Sequence, residues 1–184
     1  MSKFERVKEV VAYENRRVTI FDDVVRRPDG QPDSYFRVRY KHGVGGAVIL
    51  PELPDGRLLM IKVHRYAFDD DSLEFPRGGG ELDEPSDATA ARELEQETQL
   101  TADELVEIGH CRPDTSIMQV DAAVFIARLP ASAETSVAVE FREAIEGYEW
   151  LKFDQIQHRI ASGAIRDGFT LSAVALYSAH RLRE

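Results

Sequence analysis

Residues 77–100 read RGGGELDEPSDATAARELEQETQL, and two kinds of local structure meet inside them. Gly78, Gly79 and Gly80 permit tight backbone geometry and a close approach of main-chain groups to a ligand. From Ser86 to Thr98 the chain carries strong helix formers with no internal Gly or Pro, and Ser86 and Asp87 suit a helix N-terminus. On that helix Glu93 and Glu97 lie four apart, one turn above each other on the same face. Two carboxylates so placed repel. Either the face is a solvated acidic surface, or a divalent cation sits between them, since hard oxygen ligands suit magnesium bound together with substrate phosphates. Glu84, in the preceding loop, offers a third carboxylate. Arg92, beside Glu93, either orients a carboxylate or forms a surface pair of small worth.

Outward from this stretch the pattern is mostly strand. Val44–Leu50 and Arg57–His64 read as a hairpin with LPDG as its turn. Leu105–His110, Asp121–Leu129 and Tyr148–Phe153 read as strands, and Asp154–Ala161 and Thr170–Arg183 as helices, the last with an apolar stripe of Leu171, Val174, Ala175 and Tyr177. Before residue 44, VKEVVAY, RRVTIFDDVV and YFRVRY are separated by turn-prone RPDGQPD, which predicts a small antiparallel N-terminal sheet. Strands on both sides of one acidic helix make an α/β (α+β) fold, a mixed sheet between helices.

The chain has 184 residues, 43% hydrophobic and 30% charged. That suits a single core of ordinary size, with residues 1–43 as an extension and 44–184 as the main domain. The longest apolar runs fall far short of the ~20 residues that span a bilayer, so no membrane association is expected. MSKFERVKEV lacks the apolar region of a signal peptide. A net charge of −10 disfavours extended nucleic-acid binding but leaves room for a small anionic substrate met by local arginines and metal ions. The one cysteine, Cys111, cannot form an internal disulfide, which points to a cytoplasmic setting, and no base stands beside it to make it a nucleophile. The five histidines show no paired ligand spacing.

The 77–100 stretch resembles the Nudix box, whose pattern is G, five residues, E, seven residues, R, E, an aliphatic, any residue, E, E, any residue, G, an aliphatic. Gly78, Glu84, Arg92, Glu93, Leu94, Glu97 and Leu100 match. The resemblance implies a Nudix hydrolase: a Mg2+-dependent (or Mn2+-dependent) enzyme that cleaves the pyrophosphate bond of a nucleoside diphosphate linked to another moiety. It implies Glu93, Glu97 and Glu84 as metal ligands, with the Arg77 backbone carbonyl as a further ligand. Two positions depart. Gln96 stands where the family has the first Glu of its EE pair, which removes a charge from the site. Gln99 stands where it has Gly, at a helix exit whose left-handed cap costs a non-glycine residue roughly 1–2 kcal/mol, so a reshaped exit is expected.

Around the box the chain is similar to the ADP-ribose pyrophosphatase branch. MIKVHRYAFDDDSLEFPRG places Arg65 and Glu74 where that branch has an arginine after a strand and the Glu of a Glu-Φ-Pro-X-Gly segment, which implies substrate contacts for Arg65, Glu74 and Gly78. The N-terminal strands resemble an extension that makes a homodimer and part of the nucleotide pocket. FREAIEGYEWLKF resembles an acidic loop and strand in which a glutamate handles the attacking water; Glu143 is the best match, with Glu146 and Glu140 as rivals. One of Tyr13, Phe21, Tyr35, Phe36, Tyr66 or Phe68 would stack on the base, while Trp150 reads as core. PDTSIMQ, residues 113–119, is unlike the proline-glycine turn of ADP-ribose hydrolases. The rival reading is a catalytically weakened, nucleotide-binding regulatory module.

Overall fold

A computed structural model describes residues 3–41, 45–138 and 144–183. The centre is a mixed sheet in the order β12 (Ile145–Leu151), β6 (Leu58–Arg65), β5 (Gly46–Glu52), β11 (Ala122–Arg128), β9 (Glu104–Cys111). β5 and β11 run parallel and the other neighbours antiparallel. Both faces are covered, which is why β5 and β11 are near-continuous apolar runs rather than alternating ones. Ala47 and Ile49 face α1 (Ser86–Thr98) with Leu59, Ala123 and Phe125, packed on Ala90 and Leu94. Val48 and Leu50 face the other side with Leu58, Met60, Val124 and Ile126, beneath α2 (Phe153–Ala161) and α3 (Gly168–Arg181). The two-faced burial removes side chains worth roughly 1.5–3 kcal/mol each from water. The sandwich expected from the sequence is therefore present.

The N-terminal strands β1 (Glu5–Lys8), β2 (Val11–Glu14), β3 (Val18–Arg26) and β4 (Pro32–Tyr40) form a second sheet, antiparallel as expected. It is not wholly N-terminal, because β10 (Met118–Gln119) adds a short parallel rung to β4. Beneath it Arg37 is buried with Asp23 (2.6 Å), reaches Gln119 (2.6 Å) and Glu9 (2.6 Å), and stacks on the fully buried Phe21 ring. One guanidinium thus ties the extension to β10.

One expectation needs correction. β5 and β6 are joined by the LPDG turn, yet their ladder holds only at Glu52 and Leu58. Beyond that rung they diverge: β7 (Asp70–Glu74) pairs with β6, and β8 (Arg77–Gly79) pairs with the start of β5. The pleat thus opens into a wedge that admits the glycine loop. The cap of α1 is Pro85, in extended conformation and with no side-chain hydrogen bond, so Ser86 is already helical and Asp87 sits in the first turn beside the positive end of the helix dipole. Trp150 is half-buried against the α1-side core.

Candidate active site

α1 holds Glu93 and Glu97 on its buried face, 7% and 5% exposed. The solvated-surface reading therefore fails, because surface carboxylates keep their water. β8 runs directly over this face. A Cβ at residue 78 would lie 2.0 Å from Cδ of Glu93, so glycine there is what allows the carboxylate in. One position earlier, the Arg77 backbone N–H donates to Glu97 Oε2 at 3.1 Å. Gly46, paired with this strand, leaves only 2.9 Å between a Cβ and the Gly78 carbonyl oxygen. The glycines are spent on close approach between backbone and carboxylates.

Arg92 orients rather than decorates. Its guanidinium donates to Glu84 Oε1 and Oε2 (3.0 and 2.9 Å), Glu93 Oε1 (2.5 Å), Gln96 Oε1 (3.2 Å) and the Gly79 carbonyl (2.9 Å). Glu84 also accepts from Thr89 Oγ1 (2.9 Å) and the Glu81 backbone N–H (2.9 Å). The Arg92 guanidinium, chiefly, holds the Glu84 carboxyl at about 2, down from its ordinary 4.5. Glu84 thereby clamps the loop onto the helix. Among the described residues no three of His, Cys, Asp and Glu gather into a metal-holding group. The donor set nonetheless suits a hard cation: two buried carboxylates on adjacent turns, in a cradle that a Cβ would fill. Gln96 is exposed and occupied by Arg92.

Gln99 corrects the expected reshaping. It takes the left-handed cap itself, φ 57° and ψ 23°, its N–H donating to the Glu95 carbonyl at 2.8 Å. The exit geometry is kept and the strain borne.

A cleft of about 850 Å³ opens beside the glycine loop, lined by Gly78–Gly80, Arg65, Arg77, Arg17, Tyr40 and Tyr66 among others. Among the described residues lining it there are three arginines and no acid. Arg65 is held by the fully buried Glu74, donating through Nε (2.9 Å) and Nη2 to its two oxygens. Burial disfavours the Glu74 carboxylate, but Arg65 and Arg77 outweigh it and hold its pKa below the ordinary value. Arg77 pairs with Glu74 (3.1 Å) and Asp167 (3.3 Å) and lies over the Phe169 ring. Asp167 in turn caps α3, accepting from Thr170 N–H (2.8 Å) and Oγ1 (2.9 Å), and Thr170 Oγ1 accepts from Phe75 N–H (3.2 Å). Arg65, Glu74, Arg77 and the start of α3 are thus one network.

Of the sequence-predicted residues, Glu93, Glu97, Arg92, Gly78 and the Arg77 backbone meet around α1, and Arg65 and Glu74 meet at the cleft. Glu143 and its rival Glu140 lie outside the described residues. Glu146 is exposed and pairs with Lys62 at 3.4 Å. Of the aromatics, Phe21 is core and Tyr66, 95% exposed, lines the cleft. Tyr40, Phe169, Arg17 and Asp167 were missed; Tyr40 read only as a strand residue of YFRVRY. Cys111 is buried, which pushes its thiol up to about 11, away from nucleophilic use.

The chain is 29% identical over 134 residues to the ADP-ribose pyrophosphatase of Bacillus subtilis (strain 168), covering 73% of this chain and 68% of that protein. A crystal structure described as an ADP compounds hydrolase superposes with a TM-score of 0.76 at 16% identity, covering 96% of this chain and 93% of that one, a likeness of fold. Residues 41–169 match the family model of the NUDIX domain, well over half of the chain and including α1, the glycine loop and most of the cleft: the chain belongs to the NUDIX domain family.

Proposed function

We propose that this chain is a nucleoside diphosphate-X pyrophosphohydrolase acting on ADP-ribose or a related nucleotide sugar and releasing a nucleoside monophosphate and a sugar phosphate. The observation that carries the reading is the pairing of an arginine-lined cleft with buried Glu93 and Glu97 across a single glycine strand. The relative named ADP-ribose pyrophosphatase supports the choice of substrate.

In this reading Arg65, fixed by Glu74, grips a phosphate as a planar fork. Tyr66 or Tyr40 covers the base. Glu93, Glu97 and Glu84, with the Arg77 carbonyl, would hold Mg2+ or Mn2+, and Glu84 also anchors Arg92. A bound divalent cation would supply charge neutralisation to the pyrophosphate being cleaved. Arg92 keeps the Glu93 carboxylate aimed, and Gly78 keeps the approach open. An acid of the 139–143 segment, Glu143 by preference, takes the proton of the attacking water. Division at residue 43/44 and a homodimer through the N-terminal sheet belong to the same proposal, supported by exposed Phe4, Val7, Val11 and Phe36. So does a cytoplasmic setting, on the single cysteine.

The test is hydrolysis of ADP-ribose and other nucleoside diphosphate sugars with magnesium or manganese, alongside Glu97→Gln. Turnover that disappears in the variant supports the enzyme; tight binding without turnover in the wild type overturns it in favour of a regulatory module.

A further inference from the structure

Asp167 divides one carboxylate between two tasks. Its Oδ2 caps α3, accepting from the Thr170 N–H (2.8 Å) and hydroxyl (2.9 Å), while its Oδ1 accepts from Arg77 Nη2 at 3.3 Å. The same turn of helix also reaches the chain on the other side of Pro76. There Thr170 Oγ1 accepts from the Phe75 N–H at 3.2 Å, and both residues are fully buried. The ring of Phe169 lies 4.5 Å from the Arg77 guanidinium carbon. The first turn of α3 therefore holds the connection between β7 and β8 on both sides of Pro76.

Arg77 carries that hold to the carboxylate pair. Its guanidinium is committed to Asp167, to Glu74 at 3.1 Å and to the Phe169 ring, while its own backbone N–H donates to Glu97 Oε2 at 3.1 Å. The rest of β8 is glycine, which brings no side chain to anchor the strand. Arg92 ties the far end of β8, at the Gly79 carbonyl (2.9 Å). The near end, above Glu97, is tied through the side chain of Arg77.

We infer that Asp167 is a positioning residue: acting through Arg77, it sets the start of β8 over Glu97 and so tunes the affinity of the Glu93–Glu97 pair for a divalent cation. The cation part of the inference rests on the pyrophosphohydrolase reading and adds to it a residue outside the glycine loop and α1. Partners that orient ligating groups change metal affinity about 10- to 100-fold, and Asp167 acts one residue further out, so about threefold to tenfold is expected.

Asparagine at position 167 separates the two tasks. Its amide oxygen still caps α3, because Asn and Asp cap about equally well, but the second oxygen becomes an NH2 group that cannot accept from Arg77. Alanine removes both. The experiment follows free Mn2+ by electron paramagnetic resonance and takes the Kd of the site that Glu97→Gln abolishes. It compares the wild type, Asp167→Asn, Asp167→Ala, Arg77→Met and the double variant Asp167→Asn with Arg77→Met. Amide hydrogen exchange at Arg77 is measured, without metal, in the wild type and the two Asp167 variants. The Kd should rise about threefold to tenfold in Asp167→Asn and by the same factor in Asp167→Ala, although the alanine variant melts about 2–4 °C lower for want of its cap. In the Arg77→Met background, Asp167→Asn should change the Kd by less than about twofold. Exchange at the Arg77 amide should accelerate in both Asp167 variants.

An Asp167→Asn Kd within about twofold of wild type, an affinity that follows melting temperature instead of the lost charge, or an undiminished effect in the Arg77→Met background each overturns the assignment. Should Glu97→Gln abolish no Mn2+ site, the cation reading of the carboxylate pair fails instead. Asp167 is then judged by exchange alone: acceleration in Asp167→Asn supports its hold on β8, and an unchanged rate rejects it.

Discussion

The side chain of Glu93 occupies the space a Cβ would take on Gly78: that atom would lie 2.0 Å from Cδ and 2.2 Å from both carboxylate oxygens. Helix and loop are therefore fitted to each other through one missing methyl group. Gly78→Ala should leave the fold intact and push the Glu93 carboxylate aside, lowering the hydrolysis rate about 10- to 100-fold, as displaced support around a metal site does. Rates and melting temperature measured together check this; an alanine variant with the wild-type rate would refute the fit.

Gln99 sits at φ 57° in the helix exit. Gln99→Gly removes a left-handed penalty of roughly 1–2 kcal/mol, partly offset by the greater freedom of glycine in the unfolded chain. The variant should melt about 2–4 °C higher, as expected for ~1 kcal/mol in a chain of this size. Calorimetry decides it.

Glu84 supplies a pH dependence whose sign follows from its environment. Arg92 and its other donors lower its pKa from 4.5 to about 2 in the folded chain. A depressed carboxylate contributes stability above its unfolded value and loses it as pH falls through the folded one. Stability should decline between pH 4.5 and about 2, and Glu84→Gln should decline less steeply across that window. Urea midpoints taken at half-unit pH steps provide the comparison.

Asp23 and Arg37 are both buried and bonded at 2.6 Å, with the Asp23 carboxyl held below its ordinary pKa by that guanidinium. Asp23→Ala leaves the arginine buried with only Glu9 and Gln119, and should cost about 3 kcal/mol, the lower end for a broken buried pair. Equilibrium denaturation measures it, and a cost under about 1 kcal/mol would mean the pair contributes as an exposed one does.

What the sequence revealed follows physical range. The α1 helix, the shared face of Glu93 and Glu97 and the two-sided core were legible because they are local signals, written in ARELEQET, GAVIL and AAVFIA, whereas the burial of the two carboxylates depends on β8 crossing that face. β7 and β8 were not legible, since Asp70, Asp71 and the two glycines of β8 disfavour strand on their own and pair only because β5 and β6 diverge. The contacts of Glu84 were not legible either: that Arg92 and Thr89 donate to its oxygens depends on where the loop folds back. The chain of contacts from Arg65 through Glu74 and Arg77 to Asp167 joins positions a hundred residues apart, and no periodicity marks it.

The divergence of β5 from β6 also fixes a distance. β7 hangs from one strand and β8 from the other, and only Phe75 and Pro76 connect them. The Pro76 carbonyl is bonded to Ile49 N–H at 2.9 Å, and Glu74 and Arg77 pair across the gap. Arg65 and the Glu93–Glu97 pair are thus held on opposite banks by a two-residue tie in which the proline ring fixes one backbone torsion. On the proposed reading the tie acts as a gauge: a ligand one bond longer between Arg65 and the Glu93–Glu97 pair would have to bend to fit, and should be hydrolysed more slowly.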